Sequence, residues 1–260
     1  MKVLHVTNVA GVASLLVEGL RSKGIGADLL VQRPHPYGFA HETVLDIPWP
    51  LFWMRVLKLS REYDITHIHS LAYWVSFNIH ILALKTSRAK LLIHLHGTEL
   101  RKSRSKLLTR AVLEICDQVL VSTLDLVSYY PKAIWLPNPM DPIFKPLENR
   151  QRQGKALYLP KWYDLNKEET VRQKCDKMDL ELTVMHKPIS YSQMPSFLNR
   201  FEVFFDQSTI PSLSKTALEA LACGCKVLSW KGLVTNPEKT LKNHSLESVT
   251  EKLLQVYQKL

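Results

Sequence analysis

Residues Val203–Trp230 read VFFDQSTIPSLSKTALEALACGCKVLSW, and this stretch holds a complete strand–helix–strand unit. Val203–Asp206 is a short run of β-forming residues ending on a carboxylate, and a turn rich in serine follows. Thr216–Cys223 is a run of strong helix formers closed by Gly224, and Lys226–Ser229 resumes as a strand. A strand, a helix and a second strand in such quick succession predict a parallel crossover. Either Ser212 or Ser214 is placed to cap the helix, which leaves first-turn amides and the positive end of the helix dipole facing outward. Ser212, Leu213, Ser214, Lys215 and Thr216 are therefore a candidate diphosphate cradle. Glu219, about one turn further on, is placed to accept hydrogen bonds from vicinal hydroxyls such as those of a ribose. An ordinary crossover with a surface carboxylate is the plainer reading of the same residues.

The alternation extends over most of the chain. Strands are predicted at Lys2–Thr7, Ala27–Val31, Ile65–Ile68, Lys90–His94 and Gln118–Ser122, with helices at Ala13–Lys23 and Lys106–Cys116. Pro137–Lys155 breaks the pattern with four prolines and then a polar run, which reads as a linker. Beyond it, strands at Ala156–Leu159 and Glu181–Met185 flank a helix at Glu168–Lys177, and a final helix spans Leu246–Leu260 behind Ser245. The expected organisation is α/β throughout, with a first domain over 1–141, a linker over 142–155 and a second domain over 156–260. The last helix either stays with the second domain or packs back on the first. In parallel sheets ligands bind at the carboxyl ends of strands, and the polar motifs cluster there.

With 46% apolar residues among 260, the chain can bury a sizeable core. The start, MKVLHVTNVAG, lacks a basic leader and a cleavage site, and no apolar run reaches membrane-spanning length. Cys116, Cys175, Cys223 and Cys225 form neither a disulfide framework nor a zinc motif, so free thiols in a cytosolic chain are expected. The net charge of +10 implies an anionic partner. Eight basic residues between Lys85 and Arg110 face the single acid Glu99 in that stretch. Together with the aromatic-basic run Pro48–Leu59 (PWPLFWMRVLKL), they allow peripheral docking on anionic lipid at the inner face of a membrane. A buried helix accounts for the aromatics equally well. No nucleic-acid partner is expected, because the basic patch lacks interleaved aromatics and no recognition motif is present.

Histidines concentrate at strand ends. His96, beside Gly97, Thr98 and Glu99 in HLHGTEL, sits at the carboxyl end of a predicted strand, where ligands bind. His67 and His69 share one face of theirs by alternation, with His69 expected to line the cleft and His67 to be structural. No metal is expected, because that pair lacks a carboxylate at a suitable spacing.

LEALACGCKVL resembles the signature of the retaining glycosyltransferases of family 4, the group 1 transferases with the GT-B fold. VLHVTNVAGVASLLVEGLRSKG, YDITHIHS, HLHGTEL and LPNPMDPIFKP are similar to further motifs of that family, in the same order. The resemblance implies two Rossmann-like domains facing each other across a cleft, and metal-independent hexosyl transfer from a nucleotide sugar to an acceptor hydroxyl with retention. It implies no cofactor beyond that donor, and a lipid-linked or polysaccharide acceptor. Glu219 then binds the donor ribose, His96 the reacting sugar, and Gly11 lets backbone amides approach the donor, with Thr98, Glu99 and His69 lining the acceptor side. Pro211 stands where the family has its donor-sugar glutamate, and Lys161 and Lys167 replace an arginine–lysine pair at the diphosphate. These departures keep a second reading open: a non-catalytic nucleotide-sugar-binding relative that serves as a subunit or regulator.

Overall fold

A computed structural model describes residues 1–71, 79–101, 106–148, 152–160, 167–187 and 189–260. It divides into two compact units. The first comprises Met1–His35, Phe39–Pro139 and Leu246–Leu260, and the second Pro36–Gly38 and Met140–Ser245.

The first unit is built from β1 (Lys2–Val6), α1 (Val12–Ser22), β2 (Gly26–Val31), β3 (Glu42–Val44), α2 (Trp49–Ser60), β4 (Ile65–His69), α3 (Ile79–Lys85), β5 (Lys90–Leu95), α4 (Thr98–Arg101), α5 (Lys106–Glu114), β6 (Gln118–Val121) and β7 (Ile134–Trp135). Its seven strands lie in the order β3-β2-β1-β4-β5-β6-β7, all parallel. Strand alternation divides the side chains between two buried layers. Leu4, Val6, Ile68, Ile93 and Leu95 pack with Phe52, Trp53 and Val56 of α2 and with Ile81 and Leu84 of α3. Val3, Leu29, Ile65, Leu92 and Leu120 pack on the other face against Leu16, Val17 and Leu20 of α1 and Val249, Leu253 and Val256 of the C-terminal helix (Leu246–Tyr257). Each fully buried aliphatic side chain contributes about 1.5–3 kcal/mol.

The order of strands reverses beside β1, so the carboxyl ends of β1 and β4 flank a switch point where ligands collect in such sheets. The backbone is strained at both ends: Thr7, just after β1, has φ 64°, and Ser70, just after β4, has φ 77°. Non-glycine residues occupy this region at a cost that concentrates at functional sites. The hydroxyl of Thr7 donates to the His69 carbonyl and ties the two ends together.

The second unit contains β8 (Lys155–Tyr158), α6 (Glu168–Lys177), β9 (Glu181–Val184), α7 (Met194–Leu198), β10 (Val203–Phe205), α8 (Lys215–Ala222), β11 (Lys226–Ser229), β12 (Gly232–Leu233) and α9 (Pro237–Asn243). The strand order is β12-β11-β10-β8-β9, parallel except for β12. Its order reverses between β8 and β10, and α8 starts just beyond the carboxyl end of β10. Described residues on both sides of 149–151 pack on this unit. Phe144 is buried in its core, and Arg152 donates to the carbonyls of Cys223 and Gly224 at the end of α8.

The α/β parallel architecture expected from sequence is therefore observed. The short elements β3, β7 and β12, of two or three residues each, escape a periodicity reading because the period needs more residues to declare itself. The aromatics of the 48–59 run turn inward: Phe52 and Trp53 are buried, leaving Leu51 and Met54 exposed. Three cations of the basic stretch meet acids from further along the chain. Lys85 and Lys90 approach Asp117 at 2.7 and 3.8 Å, and Arg101 approaches Asp125 at 2.8 Å. Lys102 and Arg104 lie outside the described residues. Among the described residues, no helix is long and apolar enough to cross a membrane.

Candidate functional site

In the second unit the chain leaves β10 at Asp206 and enters α8 through Ser214. Ser214 is the N-cap, its Oγ accepting from the Ala217 amide at 3.1 Å. The Ser214 amide itself donates to Asp206 Oδ2 at 3.0 Å, so that donor, expected in the cradle, is committed within the protein. Ser212 is buried with its carbonyl accepting from Gln207 Nε2 at 2.9 Å, and Leu213 packs against the core. Lys215 and Thr216 open α8, where a helix has no intrahelical acceptor for its first amides.

Lys215 and Glu219 lie one turn apart and meet at 3.0 Å, both nearly buried. The Lys215 ammonium also reaches the Tyr191 hydroxyl at 3.1 Å and sits 4.7 Å from the centre of its ring. Burial, the charges of Glu219 and Asp141, and hydrogen bonds to both raise the Tyr191 phenol above its ordinary range, so it stays protonated. Tyr191 and Asp141 are site residues that sequence reasoning missed. Asp141 lies in no helix or strand and Tyr191 in a three-residue 3-10 turn, and only the fold brings them to α8. Glu219 is 4% exposed, not the open carboxylate that a surface reading supposes.

Lys167 is exposed at the N-cap of α6, after β8 and so at the same end of the sheet. Lys161 lies outside the described residues, and Pro211 is exposed in the loop before α8.

In the first unit, His96 follows β5 and is half-buried, Thr98 is exposed and Glu99 is buried. Glu99 is turned inward: its carboxylate accepts from the amides of Gly97 at 2.8 Å and His96 at 3.4 Å, so it holds the turn and does not line an acceptor surface. Burial lowers the His96 imidazole to about 4, partly offset by the Glu99 charge and a hydrogen bond with Asn138. His96 is thus neutral at physiological pH and offers a donor and an acceptor, not a cation. His69, expected to line the cleft, is fully buried in β4. Gly11 caps α1 at φ 75°, and the position a Cβ would take is already filled by the Phe39 ring, 2.5 Å away. The close approach that requires glycine there is therefore made by the protein's own aromatic ring.

The turn after His96 depends on Gly97, which has φ 131° and whose missing Cβ would lie 2.1 Å from Arg101 Nη1. Arg101 cannot swing aside readily, because it pairs with Asp125 at 2.8–2.9 Å and donates to Thr123 at 2.9 Å. Gly97→Ala is expected to lower stability by about 1–3 kcal/mol, read as a fall in the urea midpoint. An unchanged midpoint would show that Arg101 yields freely.

No protein-family model and no curated protein matches the sequence. Solved structures share its architecture. Sucrose-phosphate synthase from Thermosynechococcus elongatus matches with TM-score 0.66 and 13% identity, over 100% of this chain and 99% of that one. HepE of Anabaena, solved with UDP and glucose, matches with TM-score 0.64 and 12% identity over 100% of both chains. An alpha-glucosyltransferase solved with UDP and a 13-mer DNA matches with TM-score 0.59 and 14% identity, over 88% of this chain and 79% of that one. The chain has the GT-B fold of these structures, with its two Rossmann-like α/β units.

Proposed function

We propose that this chain is a glycosyltransferase that moves a hexosyl group from a nucleoside diphosphate sugar to an acceptor hydroxyl, with retention and without a metal at the diphosphate. One observation carries the reading. In a unit of this fold, the start of α8 lies at the switch point of the sheet, with a cation and a carboxylate one turn apart. Glu219 takes the ribose hydroxyls. Lys215, released from Glu219 and Tyr191 as the ribose enters, moves to the departing diphosphate beside the first-turn amides. Preorganised donors of this kind stabilise the charge that develops on a leaving group. His96, neutral and half-buried, hydrogen-bonds the reacting sugar, and a lipid-linked or polysaccharide acceptor suits the family resemblance. Pro211 favours a second reading, a binding relative without turnover, because a proline side chain cannot hydrogen-bond a sugar as a carboxylate does.

The test is a thermal-shift series with UDP-, GDP- and ADP-sugars and the free nucleotides. A ligand at a hundred times its Kd raises Tm by about 5–10 °C for a chain of this size. One nucleotide is expected to produce that shift, and Glu219→Gln is expected to remove it while keeping the side-chain volume. Sugar release on adding acceptor separates transfer from binding alone. No shift with any nucleotide would sink both readings.

A further inference from the structure

Five histidines crowd one face of the first unit's sheet: His5 on β1, His67 and His69 on β4, His94 on β5 and His96 just beyond it. The parallel register sets His5 beside His67 and His69 beside His94, and the i, i+2 spacing adds the others. Four are fully buried, and His96 alone is half-buried. The sequence shows two of these pairs as His-x-His, but only the strand order brings them together.

Their hydrogen bonds are not equivalent. His5 Nδ1 lies 2.9 Å from His69 Nε2, Tyr257 Oη lies 3.5 Å from His5 Nε2, and Tyr257 Oη lies 2.7 Å from His67 Nδ1. These contacts form a connected chain that can run either way; with His69 donating to His5, His5 donates to Tyr257 and Tyr257 to His67. That direction turns the His69 Nδ1 lone pair toward His96 Nε2, within hydrogen-bond reach at 3.4 Å. His94, packed between His69 and His96 with ring centres 5.3 and 4.4 Å away, finds no hydrogen-bond partner for either ring nitrogen among the described residues. A neutral imidazole always carries one N–H, and burying it unpaired costs about 1–3 kcal/mol. His94 thus keeps a ring lone pair that no described residue engages.

We propose that His69, His94 and His96 form a binding site for a divalent transition-metal cation of the zinc class. One ring nitrogen from each lies within 4.8 Å of the others. Ligands at 2.0–2.1 Å in a tetrahedral site stand about 3.4 Å apart. His69 and His96 already meet that spacing, and the His94 ring closes the remainder by rotating. Imidazoles without a carboxylate suit zinc, cobalt, nickel or copper, and not magnesium or calcium. His5 supplies the outer contact that orients a ligating imidazole, accepting from the far nitrogen of His69, and Asn138 bonds the side chain of His96. The half-buried His96 and exposed Thr98 mark the route in and leave a fourth position for water or an anion. The alternative triad of His5, His67 and His69 is spent on the chain through Tyr257. Under the transferase reading, a bound ion takes the ring nitrogen that His96 offers to sugar, so zinc acts as an inhibitor there.

The test uses untagged full-length protein, treated with chelator and titrated with ZnCl2 by calorimetry in the absence of nucleotide. Binding of one ion per chain is expected, with CoCl2 giving the strong visible band of four-coordinate cobalt and MgCl2 giving no heat. His94→Gln and His96→Gln are each expected to weaken binding at least tenfold, while His186→Gln at the exposed surface leaves it unchanged. Circular dichroism reports folding, and if His94→Gln does not fold, the more exposed His96→Gln decides. Folded wild-type protein that binds no zinc, or zinc binding retained in His96→Gln, would overturn the site. Neither readout depends on nucleotide, so failure here leaves the transferase reading to its own test.

Discussion

Chelator-treated protein is expected to lose most of its stability between pH 7 and pH 5. Unfolded histidine titrates near 6.5. In the folded chain, burial lowers His5 to about 3 and His80 and His96 to about 4, and holds His67, His69 and His94 well below the ordinary value. The sign follows from proton counts. Below 6.5 the unfolded chain takes up protons that the folded chain refuses, so stability falls as the pH falls, and it is fully present only above that value. At pH 5 each such histidine costs about 2 kcal/mol, set against a total of roughly 5–15 kcal/mol. Mutual repulsion among His5, His67, His69, His94 and His96 strengthens the effect, while Glu99 and Asn138 temper it at His96 alone. Urea midpoints at pH 7, 6 and 5 check this. A flat profile would mean that the imidazoles reach solvent.

Gly19→Ala is expected to destabilise the protein, against the ordinary helix rule. Alanine in place of an exposed helix-interior glycine gains about 1 kcal/mol. Here the added methyl would lie 2.0 Å from Thr250 Oγ1 and 3.2 Å from Leu246 Cδ1, both on the C-terminal helix. Gly19 is what lets α1 and that helix approach closely over the sheet. Overpacking of this kind costs about 1–3 kcal/mol. Thr250→Ala removes the clashing hydroxyl, so the double variant should recover most of the loss, and the non-additivity measures the contact. A Gly19→Ala protein more stable than wild type would show that the two helices do not pack in this register.

The sequence was most informative where a single element carries the signal. The β10–α8–β11 unit and the strands leading to His69 and His96 follow from local patterns of polarity and glycine. A serine cap for α8 was legible because capping is a local hydrogen bond, but the choice between Ser212 and Ser214 fell to the structure, which takes Ser214. The state of Glu219 was not legible: it meets Lys215, which also reaches Tyr191, a residue the fold delivers from a single 3-10 turn before α7. Gly11 illustrates the same limit. A close approach at that glycine was legible, whereas its occupant, Phe39, comes from a loop beyond β2. His94 drew no notice in the sequence, since an isolated buried histidine looks like any core residue until strand order sets it between two others.

The composition of the first unit also dictates an order of events during synthesis. Val249, Leu253, Val256 and Tyr257 cover one face of its sheet, yet they are translated after every residue of the second unit. On the ribosome, the face bearing Val3, Leu29 and Leu120 therefore stays wet while the second unit, whose pieces lie mainly in one run, is already complete. The half that begins first finishes last. Nascent chains stalled near residue 245 should expose that apolar face to chaperones, and release of the last helix is the step that buries it.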